Sequence, residues 1–217
     1  MHKNVILMGP PGSGKGTQAK NLAEKLGAVY FGTGDLMRLE MKNQTVWGQK
    51  FSEVIGRHEG QLVPDDLVEN FIKEKFNEVD FGQGIIFDGF PRTIRQAKFL
   101  EEFLVQKNED FIVLDIEVLE ESLIERMATR RICEDCGKIF FRPEANGITV
   151  CDRCGGKLIR REEDQPEVVK KRLEVYEHET KPLIEYFQAE KKLITVDGEP
   201  PIEEVEKEIT ELIRGKV

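Results

Sequence analysis

No stretch of this chain reaches the ~18 consecutive apolar residues that a membrane-spanning helix needs. Its opening residues, Met1-His2-Lys3-Asn4, run straight into an apolar strand pattern rather than a leader. A soluble, cytoplasmic protein with no membrane partner is therefore expected. Positive charge is in short supply: 32 Lys and Arg face 41 Asp and Glu, a formal net charge of −9. A protein that covers a nucleic-acid backbone needs a basic face, so nucleic acid is not an expected partner and any basic site must be local. The three histidines, His2, His58 and His178, are scattered and belong to no motif. Ser-His-Asp chemistry is therefore not offered, and His58 is expected on a solvated loop. Internal repeats, low-complexity tracts and Ser-rich linkers are also missing.

Cysteine is rare as well, but its placement is informative. All four, Cys133, Cys136, Cys151 and Cys154, form two Cys-x2-Cys pairs separated by 14 residues. Without a secretory signal they read as thiolate ligands rather than disulfides. Two such knuckles give closed tetrahedral Zn²⁺ coordination, which leaves no position for a reacting water and makes the metal structural. Between them Phe140, Phe141, Pro143, Asn146-Gly147 and Ile148 suit a short hairpin-like finger. A redox pair or an iron site is the competing reading of the same spacing.

The most specific feature is Gly9-Pro10-Pro11-Gly12-Ser13-Gly14-Lys15-Gly16-Thr17, directly after the apolar run Val5-Ile6-Leu7-Met8. Glycines there let consecutive backbone N–H groups converge on phosphate oxygens, and the positive end of the following helix faces the same anion. Lys15 adds the point charge for the outer phosphates. The usual loop places Ser or Thr straight after the Lys, whereas here Gly16 intervenes before Thr17. The pattern implies a nucleotide-phosphate site.

Short apolar, β-branched segments at residues 5–8, 28–31, 85–88, 111–116 and 193–196 read as strands covered on both faces. Helical patterns at 17–26, 65–79, 166–189 and 202–214 separate them. That alternation specifies an α/β, doubly wound parallel five-stranded sheet with ligands at the carboxyl ends of its strands. Two segments break it. Residues 32–63 look helical but weakly packed, with the lone Trp47 and a break at Gly56; residues 129–164 hold every cysteine and several arginines. The expected organisation is a P-loop core (1–31, 64–128 and 165–217) with two small inserted subdomains, 32–63 and 129–164.

A phosphate loop, a first insertion and a cysteine finger in this order resemble adenylate kinase, in the long-lid form whose lid carries zinc. The resemblance covers nearly the whole chain. It rests on Gly9 to Thr17 including Gly16-Thr17, on Thr33-Gly34-Asp35-Leu36-Met37-Arg38, on Asp88-Gly89-Phe90-Pro91-Arg92-Thr93 with Gln96, on Arg126, Arg130, Arg161 and Arg172, and on Val196-Asp197-Gly198. It implies Mg²⁺-dependent transfer between ATP and AMP to give ADP, in a monomer, with 32–63 binding the monophosphate. Lys15, Arg92, Arg126, Arg130, Arg161 and Arg172 would be catalytic, with Arg160 an alternative to Arg161. Gly12, Ser13, Gly14, Lys15, Gly16, Thr17, Arg130, Ile139, Phe140 and Pro200 would hold ATP, although Phe140 suits the core of the finger equally well. Thr33, Arg38, Gln61, Leu62, Val63, Gly89, Phe90, Pro91, Arg92, Gln96, Arg161 and Arg172 would hold AMP, Gln96 reading its base. Asp88 would hold Mg²⁺ through water, or merely cap the next turn. The alternatives are a kinase of another nucleoside monophosphate, a GTP-dependent AMP phosphotransferase, or a zinc-finger module regulated by its phosphate loop. Arg126 and Arg130, four apart, share a face if helix continues that far.

Overall fold

The computed structural model describes residues 4–57 and 59–215. His2 and His58 lie outside them, and with them the solvated-loop expectation for His58. The chain begins with β1 (Asn4–Met8), α1 (Lys15–Leu26) and β2 (Val29–Gly32), then two helices, α2 (Thr33–Lys42) and α3 (Val46–Arg57). It continues through α4 (Asp65–Phe76), β3 (Ile85–Asp88), α5 (Ile94–Gln106), β4 (Phe111–Glu117) and α6 (Glu120–Thr129). Three short strands follow, β5 (Arg130–Cys133), β6 (Ile139–Phe141) and β7 (Leu158–Ile159). The last elements are α7 (Pro166–Val175), α8 (Pro182–Ala189), β8 (Leu193–Asp197) and α9 (Ile202–Gly215).

One sheet runs β2-β3-β1-β4-β8, all neighbours parallel. Apolar residues cover both of its faces. Ile6, Met8, Phe31, Phe87 and Val113 pack with α4, α5 and α8 on one side, and Val5, Leu7, Leu114 and Ile116 with α1 and α9 on the other. This two-sided burial is why the strands read as unbroken apolar runs. β1 has neighbours reached in opposite directions along the sheet, so a cleft opens at its carboxyl end. The phosphate loop begins there.

The pair α2 and α3 is better packed than its sequence suggests. Phe51 is fully buried with its ring edge-on to Phe71 at 5.0 Å, and Trp47 lies 5.4 Å from Phe71. Burying a ring of that size is worth about 2 kcal/mol. The two helices cross closely at Gly48, where a Cβ would stand 2.0 Å from the Glu40 carbonyl oxygen. Gly56 does not break α3, which continues to Arg57. It sits exposed in the last turn, where glycine costs about 1 kcal/mol but need not end a helix.

Two other expectations change. Helix does not continue from Arg126 to Arg130: α6 ends at Thr129, and Arg130 turns extended to start β5. The pattern over 166–189 is not one regular helix. Pro182 has no N–H to give, and the chain before it widens into a π turn over Tyr176–Thr180, closed by Lys181 N–H to Tyr176 O at 2.8 Å. The cysteine segment folds as a three-stranded antiparallel sheet, β6-β5-β7.

Candidate active site

The phosphate loop is shaped by what its glycines avoid. Gly9 has φ +138°, and a Cβ there would lie 2.7 Å from the Ile116 carbonyl oxygen. Gly16 answers the departure from the usual loop: a Cβ at this position would press on Asp88 Oδ2 at 3.0 Å. α1 starts at Lys15, two residues earlier than its pattern suggests, so its amino end points into the loop. Lys15 Nζ donates to the Pro10 carbonyl at 3.1 Å. Burial lowers its pKa to about 8, Asp88 opposes the shift, and Arg92, Arg172 and Arg130 reinforce it. Desolvation and neighbouring cations thus outweigh the one carboxylate acting on this ammonium.

Around that lysine the fold gathers arginines from distant elements. Arg38 comes from α2, Arg92 from the β3–α5 turn, Arg161 from the segment after β7, and Arg172 from α7. Glu163 stands among three of them, 3.5 Å from Arg38, 3.2 Å from Arg161 and 3.9 Å from Arg172, and its carbonyl accepts from Arg172 at 3.2 Å. Burial disfavours its charge, but Arg172, Arg38, Arg161 and Arg130 outweigh that and pull its pKa down to about 2. Arg130 is bound bidentately to the fully buried Asp164, at 2.8 Å through Nε. Removing one partner of such a buried pair costs about 3–5 kcal/mol. Arg126 stands apart, bridging Ser13 O at 3.4 Å and Gly198 O at 2.9 Å, so it joins the phosphate loop to the β8–α9 turn.

The Asp88–Thr93 turn is held from within. Thr93 caps α5 by accepting from Gln96 N–H at 3.2 Å. Gln96 Oε1 in turn accepts from Arg92 N–H at 2.8 Å, and Arg92 Nε donates to Gly89 O at 3.0 Å. Asp65, at the start of α4, takes the Gln96 amide at 2.7 Å and the Thr93 hydroxyl at 2.9 Å. The Tyr30 hydroxyl lies 3.0 Å from Asp35 and 3.1 Å from Asp88. Burial works against the charge of Asp35, yet hydrogen bonds from Lys20 and Arg38 keep it well below the usual carboxylate range.

The four cysteines converge. Their sulfurs lie within 4.8 Å of one another, with Cys133–Cys154 at 3.4 Å and Cys136–Cys151 at 3.6 Å. Zn–S bonds of about 2.3 Å in a tetrahedron put sulfurs about 3.8 Å apart, so the set fits that ion. The two knuckles are built alike: Gly137 N–H returns to Cys133 O and Gly155 N–H to Cys151 O, each glycine at positive φ. A backbone N–H from Cys136 helps hold the Cys133 thiol down to about 7.

A family profile described as adenylate kinase matches residues 7–192. The chain is 43% identical over 216 residues to the adenylate kinase of Thermosipho melanesiensis, covering 97% of this chain and 99% of the relative. It is 42% identical over 215 residues to that of Clostridium tetani (97% and 98%), and 45% identical over 210 residues to that of Caldicellulosiruptor saccharolyticus (94% and 96%). The chain belongs to the adenylate kinase family. It is a phosphotransferase of the nucleoside monophosphate kinase class, and a kinase of some other monophosphate is not favoured.

Within this adenylate kinase cleft, Lys15, Arg38, Arg92, Arg130, Arg161 and Arg172 come together, and Arg161 rather than Arg160 faces Arg38 and Glu163. Thr33 is buried with its hydroxyl unpartnered, as is the Ser13 hydroxyl in the loop. Gln61 is exposed, and Leu62, Val63 and Pro200 are half-buried. Phe90 and Phe140 have their rings elsewhere, in the main core and the cysteine knuckle core respectively, which leaves only their backbone for a ligand. Ile139 is half-buried beside it. Sequence reasoning missed Tyr30, Asp65, Glu163, Asp164 and Thr180, whose hydroxyl donates to Arg92 O at 3.0 Å. Only Asp65 left a signal, as the acid opening a helix; the others are ordinary polar residues until the fold delivers them.

Proposed function

We propose that the chain catalyses ATP + AMP = 2 ADP through the residues gathered here. The observation that supports it most is the convergence of Lys15 and five arginines on one cleft, where they hold the carboxylate of Glu163 strongly ionised. A phosphate oxygen of AMP attacks the γ-phosphorus of ATP in line. The bond from that phosphorus to the β–γ bridging oxygen breaks, and ADP leaves from each side. Such a transfer asks the protein for positioning, charge neutralisation and exclusion of water rather than for a nucleophile.

In this reading, backbone N–H groups from Gly12 to Thr17 hold the phosphates of ATP, with Lys15 on the outer pair. Arg38 and Arg92 hold the AMP phosphate; Arg126, Arg130, Arg161 and Arg172 neutralise the group in flight. Guanidinium forks suit this because they bind phosphate oxygens in pairs and keep their charge. Thr33, the 61–63 backbone, the Gly89–Pro91 backbone and Gln96 enclose the adenosine of AMP, and Ile139, the Phe140 backbone and Pro200 that of ATP. Asp88, 3.0 Å from a Cβ at position 16 and so at the loop's edge, would hold Mg²⁺ through water, which supplies charge neutralisation on ATP. Zn²⁺ on Cys133, Cys136, Cys151 and Cys154 would hold the finger folded and take no part in the transfer. Residues 32–63 and 129–164 would act as the monophosphate-binding insertion and the lid. Four free thiols set as metal ligands suit a reducing compartment, in keeping with a cytoplasmic monomer.

The test is ADP formation from ATP·Mg²⁺ with AMP, CMP, UMP and GMP as separate acceptors. Turnover confined to AMP is expected. Preference for another acceptor would overturn the role given to Gln96, and no turnover with any acceptor would overturn the reaction.

A further inference from the structure

A cavity of about 870 Å³ opens between β4, α6, α7 and the π turn. Lys15, Arg38, Arg92, Arg161 and Arg172 do not line it; it adjoins the nucleotide cleft at Pro10, whose carbonyl takes the Lys15 ammonium, and at Asp164, which holds Arg130. Its base holds Asp115, a carboxylate only 1% exposed whose Oδ1 has no hydrogen-bond partner. A buried carboxylate without a partner is costly, and a strand inside a close-packed core has no packing need for one.

The walls and mouth narrow the chemistry of what would complete that carboxylate. Leu123, Val169 and Leu173 make the walls apolar. At the mouth stand the exposed Glu117, Glu120 and Glu174, none of which has an ion pair among the described residues. Three cations line the space: Lys181 is bound to Glu177 at 2.6 Å, Arg160 is turned to the Asp164 carbonyl, and Lys170 is exposed. A bare divalent cation would want several convergent oxygens, whereas of the two buried carboxylates in the lining Asp164 is already taken by Arg130 and Asp115 alone is unpaired. An ammonium matches the single carboxylate, methylenes match the walls, and a second ammonium matches the acidic mouth.

We propose that this cavity binds a linear aliphatic polyamine, with one ammonium on Asp115, its methylenes along Leu123, Val169 and Leu173, and a second ammonium among Glu117, Glu120 and Glu174. The occupant would lie between α6 and α7, the helices that lead into and out of the three-stranded cysteine segment. The proposal goes beyond the phosphoryl-transfer reading and does not depend on it. Burial and the nearby Glu117 push the Asp115 carboxyl up to about 6 against the pull of Lys15. A bound ammonium would favour its ionised form.

The test is calorimetric titration of spermidine into the nucleotide-free, full-length protein. One site per chain is expected. Asp115→Asn should weaken it about tenfold or more, Glu174→Gln less, and Glu102→Gln, an exposed acid outside the cavity, not at all. Binding should also weaken as the pH falls below that of Asp115. Hexylamine, with one charge, should bind more weakly than spermidine. No binding, several weak sites unaltered by Asp115→Asn, or equal binding of hexylamine would overturn the proposal. If Asp115→Asn fails to fold, backbone amide shifts in the wild-type protein decide. Shifts confined to β4, α6 and α7 are expected; shifts spread over the acidic surface would overturn it.

Discussion

Glu163 shows how one side chain can report on a whole site. It is the carboxylate that Arg38, Arg161 and Arg172 share, held to about 2 against an ordinary value of 4.5. Because its folded-state pKa is depressed, its contribution to stability is full above the unfolded value and is lost as pH falls from about 4.5 toward 2. Urea midpoints measured across that window should fall more steeply for the wild type than for Glu163→Gln; parallel curves would contradict the contacts described. Asp65 offers a second residue-scale prediction. It touches no proposed substrate atom but fixes the Gln96 amide and the Thr93 cap together. Asp65→Asn should raise KM for AMP and reduce preference for AMP over other acceptors, each about tenfold, with kcat little changed. A loss in kcat at unchanged KM would assign it to the chemistry instead. The sequence announced Gln96 and the arginines because they sit in recognisable strings. Asp65 and Glu163 act through contacts 31 and 125 positions away, to Gln96 and Arg38, and no local pattern encodes those.

Elements were legible where one physical signal dominated. The five parallel strands followed from apolar, β-branched runs; in β1, β3 and β4 burial on both faces leaves little choice of residue, while the edge strands β2 and β8 are only partly covered. The helix breaks were not legible, because tertiary contacts decide them. Gly56 continues α3, while Pro182 reshapes a helix whose apolar spacing looks continuous. α5 has no counterpart among the sequence-read helices; Thr93 caps it, and the Gln96 side chain turns back to Arg92 N–H rather than to the cap residue. The cysteine finger belongs to this scale too. Its own core is Phe140 with Cys133 and Cys151, supported by Ile148 and Leu158, too small to stand alone. Chelation, or Cys136→Ser, should therefore lower the melting temperature much more than it lowers turnover at saturating substrate below that temperature. Abolished turnover with an unchanged melting curve would contradict a structural role for the metal.

At the scale of the whole molecule, a −9 chain concentrates its fixed cations where strand ends, loop and inserted segments meet. Field focusing of this kind in a water-poor cleft is how a site without a nucleophile lowers a phosphoryl-transfer barrier. The two segments proposed as insertions meet at the cleft through Arg38 and Glu163, 3.5 Å apart, and lid closure in adenylate kinases is an example of such gating. Closure would keep water from the γ-phosphate, so hydrolysis of ATP without AMP should be a small fraction of transfer with it. The account's central claim is direct transfer from one nucleotide to the other. It is tested by following label from the γ-phosphate of ATP in a single turnover with AMP. The account predicts that label appears in the β-phosphate of the ADP made from AMP, in proportion to ATP consumed. Label released as inorganic phosphate, or trapped on the protein, would contradict it.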